Sequence, residues 1–166
     1  MKNYLTTFDK PLDFLNKLRV IFYSMVGITP PIFLYIYLES RNGEFSPIYP
    51  ELSSIFYYIV PIVCVVLTIL AYWYYEKQIR AARTLPSLRA KLDVIILSSF
   101  NKFLILEIAT LFNILIYYLS GQIFYAGVYI AMIIFFGMSN PSIYSVLSDL
   151  RLPKREADVM RNNGNI

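Results

Sequence analysis

The chain has 166 residues, which is room for a single domain. It is 57% hydrophobic, 17% aromatic and only 16% charged, whereas soluble domains average about 45–50% apolar and about 25% charged residues. So few polar residues cannot cover so apolar a core in water, and the composition predicts an integral membrane protein. The net charge of +4 follows the membrane topology described below rather than one basic face, so we expect no nucleic-acid partner.

The reactive side chains argue against catalysis. There is one cysteine, Cys64, and no histidine, so an intrachain disulfide is excluded and zinc, haem or Cys–His chemistry lacks its usual groups. The sequence also has no phosphate-binding glycine loop, nucleophile elbow or paired acids. We therefore expect no enzymatic activity, no metal site and no cofactor, with Cys64 as a small buried hydrophobic residue.

The N-terminal part predicts a surface helix. Pro11 follows Asp9 and Lys10 and suits the first position of a helix, where its missing N–H has no role. The leucines that follow recur at helical spacing up to Arg19. This pattern predicts a short amphipathic helix that lies in the headgroup region.

The first predicted membrane span is Val20–Leu38, which contains no charge and approaches the roughly 20 residues that cross a bilayer. Pro30 and Pro31 fall near its centre. Each lacks a donor and crowds the carbonyl four residues earlier, so we expect a kink that frees the carbonyl groups of Val26 and Gly27. In lipid these groups need partners, so the kink should face other helices or an internal cavity.

The second predicted span is 55–75, with a further kink expected at Pro61. It ends in the aromatic cluster Tyr72–Tyr75, which is typical of the membrane–water interface. The segment 76–93 follows, with five bases and two acids. Its pieces read as helices at the membrane surface, and its bases either set orientation only or also bind anionic headgroups.

The third and fourth predicted spans are 97–119 and 123–138, joined by a tight turn. Asn140 and Pro141 then suit the cap and first position of a second interfacial helix. A short charged helix through Met160 completes a helical tail, 139–166. This tail is either a docking segment for a cytoplasmic partner or a plain surface helix.

The basic residues predict the orientation. Of the 15 Lys and Arg, four precede the first span, five lie between the second and third, and four follow the fourth. Arg41 lies on the opposite side, and Lys102 lies within the third span. The positive-inside rule then places both termini in the cytoplasm. The expected fold is an all-α integral membrane protein, a single domain of four transmembrane helices in two hairpins, N-in and C-in, with short interfacial amphipathic helices.

Polar residues inside the third span mark its candidate site. At 100° per residue, one arc of about 140° contains five of them: Ser99, Lys102, Glu107, Thr110 and Asn113. Asn101 falls roughly opposite. Glu107 lies near the bilayer centre, where a charge costs roughly 2.5–3.5 kcal/mol, so we expect it to face the bundle interior and to be partnered or neutral.

Three interpretations of this stripe remain open. Glu107 and Asn113 form interhelical hydrogen bonds of about 0.6 kcal/mol each, or Glu107 carries a proton or cation, or the residues form a lipid-facing site. In the second case Thr110 and Asn113 are the ligands and Lys102 is an electrostatic gate.

The sequence favours a small protein of a bacterial cytoplasmic (inner) membrane that acts as an accessory or scaffolding subunit. It would pack against a larger membrane complex or against copies of itself, within the lipid bilayer. The alternative is a small ion- or proton-coupled channel or transporter that uses Glu107.

Overall fold

A computed structural model describes residues 8–43, 46–50 and 54–164. It is 80% helical, and the described residues form no strand, which confirms the all-helical prediction. The seven described helices are α1 (Pro11–Val26), α2 (Thr29–Asn42), α3 (Phe56–Ala82), α4 (Leu88–Ser120), α5 (Ile123–Gly137), α6 (Ile143–Leu150) and α7 (Lys154–Arg161).

Three helical stretches among the described residues are long and apolar enough to cross a membrane: Pro11–Asn42, Phe56–Ala82 and Leu88–Ser120. In their most apolar windows, 11%, 17% and 56% of the residues are buried, respectively. The third stretch, α4, is therefore the internal helix, and the first two expose most of their apolar surface. α5 is apolar but has only 15 residues.

The chain divides into two compact units. The first contains the described residues up to Tyr23, Ala71–Phe103, and those from Asn140 onward. The second contains the described residues of Ser24–Leu70 together with Leu104–Ser139. α1, α3 and α4 thus each contribute residues to both units.

Each unit has its own apolar core. In the first, aromatic and aliphatic residues of α1 are buried with residues of α4, and Phe22 and Phe103 meet edge to face at 5.3 Å between ring centroids. In the second, α3, α4 and α5 contribute a cluster that is mostly aromatic and small side chains: Val60, Cys64, Ala109, Ile116, Tyr117, Tyr125, Ala126 and Met132. Small residues at such contacts let helices approach closely.

The prolines of the first span do not kink one helix. α1 runs unbroken through Arg19 and Val20, so no break in the helix separates the predicted surface helix from the predicted first span. The helix ends at Val26 instead, and Pro30 and Pro31 lie in the first turn of α2. The N–H groups at the first positions of a helix have no acceptor within that helix. Proline, which lacks an N–H, is therefore favoured there, and Pro30 and Pro31 lie at the start of a new helix. Pro61 lies inside α3 without ending it.

The pieces of the basic segment after the second span are helical, as predicted, but they are the ends of two long helices. α3 continues to Ala82 and α4 begins at Leu88, so the described chain holds no separate surface helices between them. Alanine, lysine, glutamine and arginine in this segment are good helix formers, and they extend the two long helices instead.

The tail begins two residues later than predicted. Ser142 rather than Asn140 caps α6, and its hydroxyl accepts the Ser145 N–H while the Ser145 hydroxyl accepts the N–H of Ser142. Asn140 instead donates from its amide to the Tyr23 hydroxyl at 3.4 Å. α6 ends at Leu150, and Arg151, with a positive φ of 50°, caps it.

Candidate functional site

The predicted polar stripe lies on the buried side of α4. Ser99, Lys102, Glu107, Thr110 and Asn113 are all buried. The boundary between the two units falls between Phe103 and Leu104, so Ser99 and Lys102 belong to the first unit and the other three belong to the second. The stripe therefore forms two clusters with different neighbours.

Glu107 dominates the cluster of the second unit. Both of its carboxylate oxygens are buried and have no hydrogen-bond partner among the described residues. The Thr110 hydroxyl donates to the main-chain carbonyl of Glu107 at 2.9 Å, which is a bond within the helix. Tyr129 of α5 interacts electrostatically with the Glu107 carboxyl group. A buried carboxyl group with open acceptor oxygens is chemically able to hold a proton or a small cation.

Asn113 joins α4 to α5. When its amide nitrogen faces the Tyr125 carbonyl, it donates to that oxygen at 3.3 Å, and its amide oxygen accepts the Tyr129 N–H at 2.8 Å. Both bonds are to the main chain of another helix, and the amide orientation is the one that satisfies both groups. Asn113 is therefore already engaged in helix packing.

Two members of this cluster, Thr29 and Tyr129, were missed from the sequence. Thr29 opens α2 and is fully buried, and its hydroxyl oxygen accepts a hydrogen bond from the Tyr129 hydroxyl at 3.4 Å. The Tyr129 ring stacks on Phe33 with centroids 4.1 Å apart. The only feature of the sequence that could have indicated Thr29 is its position directly before Pro30-Pro31, where α2 begins.

Lys102 lies among aromatic rings in the first unit. Its ammonium group is 4.2 Å from the Tyr75 ring centroid, 5.2 Å from that of Tyr72 and 5.1 Å from that of Phe103. It also interacts electrostatically with Asp149 of α6. Cation–π contacts of this kind are stronger when desolvated. The structure thus gives Lys102 aromatic neighbours and an acid from the tail.

Tyr75 and Asp149, also missed from the sequence, fix α6 to α3. The Tyr75 hydroxyl donates to Asp149 Oδ2 at 2.6 Å, and Arg83 Nε donates to the main-chain carbonyl of Asp149 at 2.8 Å. Tyr75 was interpreted only as part of the aromatic belt. The position of Tyr75 at the end of the apolar run indicates how deep the residue lies in the membrane. It does not indicate that Asp149 is the hydrogen-bond partner.

The tail is held by its own contacts in this unit. Lys91 Nζ and Glu156 Oε2 form a largely buried ion pair at 2.7 Å, Met160 is buried, and the Leu12 N–H donates to Asn163 Oδ1 at 3.0 Å. The apolar face of α7 is thus used within the chain.

The remaining candidates add no reactive cluster to the described part of the chain. Cys64 is buried, and its thiol donates weakly to the Ala109 carbonyl at 3.8 Å. No group of three or more His, Cys, Asp or Glu that could hold a metal ion occurs among residues 8–43, 46–50 and 54–164. Comparisons with protein-family models, with curated proteins and with solved structures found no match to this chain.

Proposed function

We propose that this chain is a four-span protein of a bacterial cytoplasmic membrane, with both termini in the cytoplasm, that acts as an accessory or scaffolding subunit. It packs against a larger membrane complex or against its own copies and performs no catalysis. The observation that carries this proposal is the exposed apolar surface of α2 and α3, whose exposed residues include Leu34, Tyr35, Tyr58, Ile62, Val65, Ile69 and Trp73. Lipid or another membrane protein must cover this surface.

The composition of the surface favours a protein partner over part of it. Tyr58 is among its most exposed side chains, and tyrosine is enriched in protein interfaces because it combines a large apolar ring with a polar hydroxyl. The polar contacts that order the described tail are intramolecular, so the helix faces rather than the tail are the surface offered to a partner.

A photoreactive residue tests this proposal directly. Placed at exposed Leu34 of α2 in native membranes, it should form adducts with a second protein chain, whereas the same residue at buried Ala71 should react only within the chain. The product masses distinguish a second copy of the 19.3 kDa chain from another protein. Adducts of Leu34 with lipid alone would contradict the proposal.

The second candidate is a small proton- or cation-coupled channel or transporter with Glu107 as carrier. The buried, unpartnered carboxylate oxygens favour it. The proposed ligands Thr110 and Asn113 already bond to main-chain groups, so they would have to exchange these bonds to bind an ion. In this candidate Lys102 is the electrostatic gate, with its ammonium group among the rings of Tyr72, Tyr75 and Phe103.

Proteoliposomes with an imposed pH gradient separate the two candidates. For a transporter, the wild-type chain should dissipate the gradient and Glu107→Gln should abolish this flux, while Glu39→Gln, in the last turns of α2, should retain it. For an accessory subunit, none of the three should carry flux. Glu107→Gln should then assemble as the wild type does.

A further inference from the structure

The C-terminal part of α3 carries a small surface site that the proposed function does not use. Trp73, Glu76, Lys77 and Arg80 line a shallow cavity of about 250 Å³, and all four are exposed. They lie on one side of the helix because they recur at intervals of three and four residues. All of them belong to the first unit.

The site has an excess of positive charge. Lys77 Nζ lies 5.3 Å from the Trp73 ring centroid and forms no ion pair with the described residues. Arg80 donates from Nε at 3.2 Å and from Nη2 at 2.9 Å to one oxygen of Glu76. The charges of Arg83 and Arg151 also act on this carboxylate. The lining of the cavity thus contains two bases and one acid, and Arg83 and Arg151 add positive charge near that acid.

The same side of α3 is apolar before Trp73. Ile62, Val66 and Ile69 recur at helical spacing, and they are 59%, 47% and 61% exposed, while Trp73 is 60% exposed. The 11 residue steps from Ile62 to Trp73 span about 16 Å. This is close to half of a hydrocarbon core about 30 Å thick. The apolar face therefore has the length of one leaflet and ends at the basic site.

We propose that the site of Trp73, Lys77 and Arg80 binds the phosphate of an anionic phospholipid. Lys77 supplies a point charge, and Arg80 retains donors that Glu76 does not use. The indole of Trp73 lies at the level of the glycerol esters, where its apolar ring and polar N–H both find partners. The acyl chains then cover the apolar face of α3. This inference rests on the proposed membrane location.

The phosphate comes from a lipid rather than from a free anion because the basic groups adjoin an exposed apolar face. Free phosphate would gain nothing from that face, whereas a phospholipid buries it together with its own acyl chains. The positive-inside rule accounts for basic residues on this side of the membrane. It does not account for their convergence on one exposed aromatic residue.

The test uses Trp73, the only tryptophan of the chain. The purified full chain is reconstituted in phosphatidylcholine vesicles that contain a minor fraction of brominated lipid, whose bromine quenches indole fluorescence on contact. At equal fractions, brominated phosphatidylglycerol should quench several-fold more than brominated phosphatidylcholine. Equal quenching by the two lipids would overturn the site.

Three variants sharpen the result. Lys77→Gln with Arg80→Gln should bring the ratio of quenching by the two lipids close to one, because both bases that attract the anionic headgroup are removed. Glu76→Gln should increase the selectivity, a gain that damage to the fold would not produce. The control Lys154→Gln with Arg155→Gln makes the same change in net charge at exposed residues of α7 and should leave the selectivity unchanged. An equal loss in this control would assign the effect to general surface charge and overturn the site.

Two further outcomes identify which proposal fails. If inorganic phosphate at moderate concentration removes the selectivity for phosphatidylglycerol while ionic strength is held constant, the site is a free-anion site and the lipid assignment is wrong. If neither brominated lipid quenches Trp73, this end of α3 does not contact the bilayer, and the proposed membrane location fails with it.

Discussion

At the scale of single residues, Asn113 differs from the other polar residues of α4 because its side chain bonds to the main chain of another helix. Thr110 bonds only to its own helix, and the Glu107 carboxyl group has no hydrogen bond with the described residues. The 140° arc indicated that these residues share a face. It could not indicate which of them reaches α5, because that depends on how the two helices are rotated and shifted against each other.

Replacing Asn113 with leucine should therefore weaken the contact between α4 and α5. The change removes two hydrogen bonds to main-chain groups of α5, and we expect a loss of about 0.6–1.7 kcal/mol in the free energy of unfolding. Reversible unfolding in mixed detergent micelles measures it. Thr110→Val is the matched control and should cost less, since it removes a bond within one helix. A cost for Thr110→Val that equals or exceeds that of Asn113→Leu would contradict this account of the contact.

At the scale of elements, α6 depends on Tyr75. The hydroxyl of this residue donates to the Asp149 carboxylate, and hydrogen bonds to charged groups contribute about 1.5–3 kcal/mol. Tyr75→Phe should therefore increase hydrogen exchange in α6 while the ring remains beneath Lys102. Tyr74→Phe is the control, because the Tyr74 hydroxyl accepts from Asn101 of α4 instead. Similar exchange in α6 for both variants would show that Tyr75 does not hold this helix.

α7 depends instead on one buried apolar side chain. Met160 is 1% exposed, and truncation of a buried methionine to alanine typically costs about 2–5 kcal/mol. A helix of eight residues has too few other contacts to compensate for this loss of stability. Met160→Ala should therefore release α7, and trypsin should cleave faster at Arg151 and Lys154. The exposed neighbour Asp158→Ala should be cleaved at the wild-type rate. Resistance of Met160→Ala to trypsin would show that the polar contacts of the tail, Lys91–Glu156 and Leu12–Asn163, retain the helix without Met160.

The sequence predicted helix type better than helix ends. Apolar length and helical spacing identified the long helices and the short charged helix of the tail. The break at Gly27–Ile28 falls at the carbonyls that the prolines were predicted to free, but it separates two helices instead of kinking one, and proline patterns do not distinguish these two outcomes. The Tyr75–Asp149 bond joins residues 74 positions apart, and no periodicity within one helix carries information about such a contact.

For the whole molecule, the number of membrane crossings rests on α5. Its 15 residues span about 22 Å, less than a hydrocarbon core of about 30 Å, so length favours three crossings. Charge favours four, because an odd number would put the four bases of the tail on the side opposite to the other basic segments. Thinning of the bilayer costs only fractions of a kcal/mol per Å of mismatch. Translocation of a basic segment opposes the positive-inside rule, which is the stronger constraint.

We therefore expect α5 to cross the membrane, and single cysteines in a Cys64→Ser background test this. An impermeant maleimide on intact cells should label Ser46→Cys and Ile123→Cys, while Ser87→Cys and Asp158→Cys should react only after the membrane is permeabilised. Cys64 is buried, but serine is of similar size and its hydroxyl can donate to the Ala109 carbonyl that the thiol contacts, so we expect a mild change. If Asp158→Cys reacts in intact cells together with Ile123→Cys, both ends of α5 lie on the outer side and the helix does not cross the membrane. Bilayer thickness would then outweigh the distribution of charge in setting the topology of this chain.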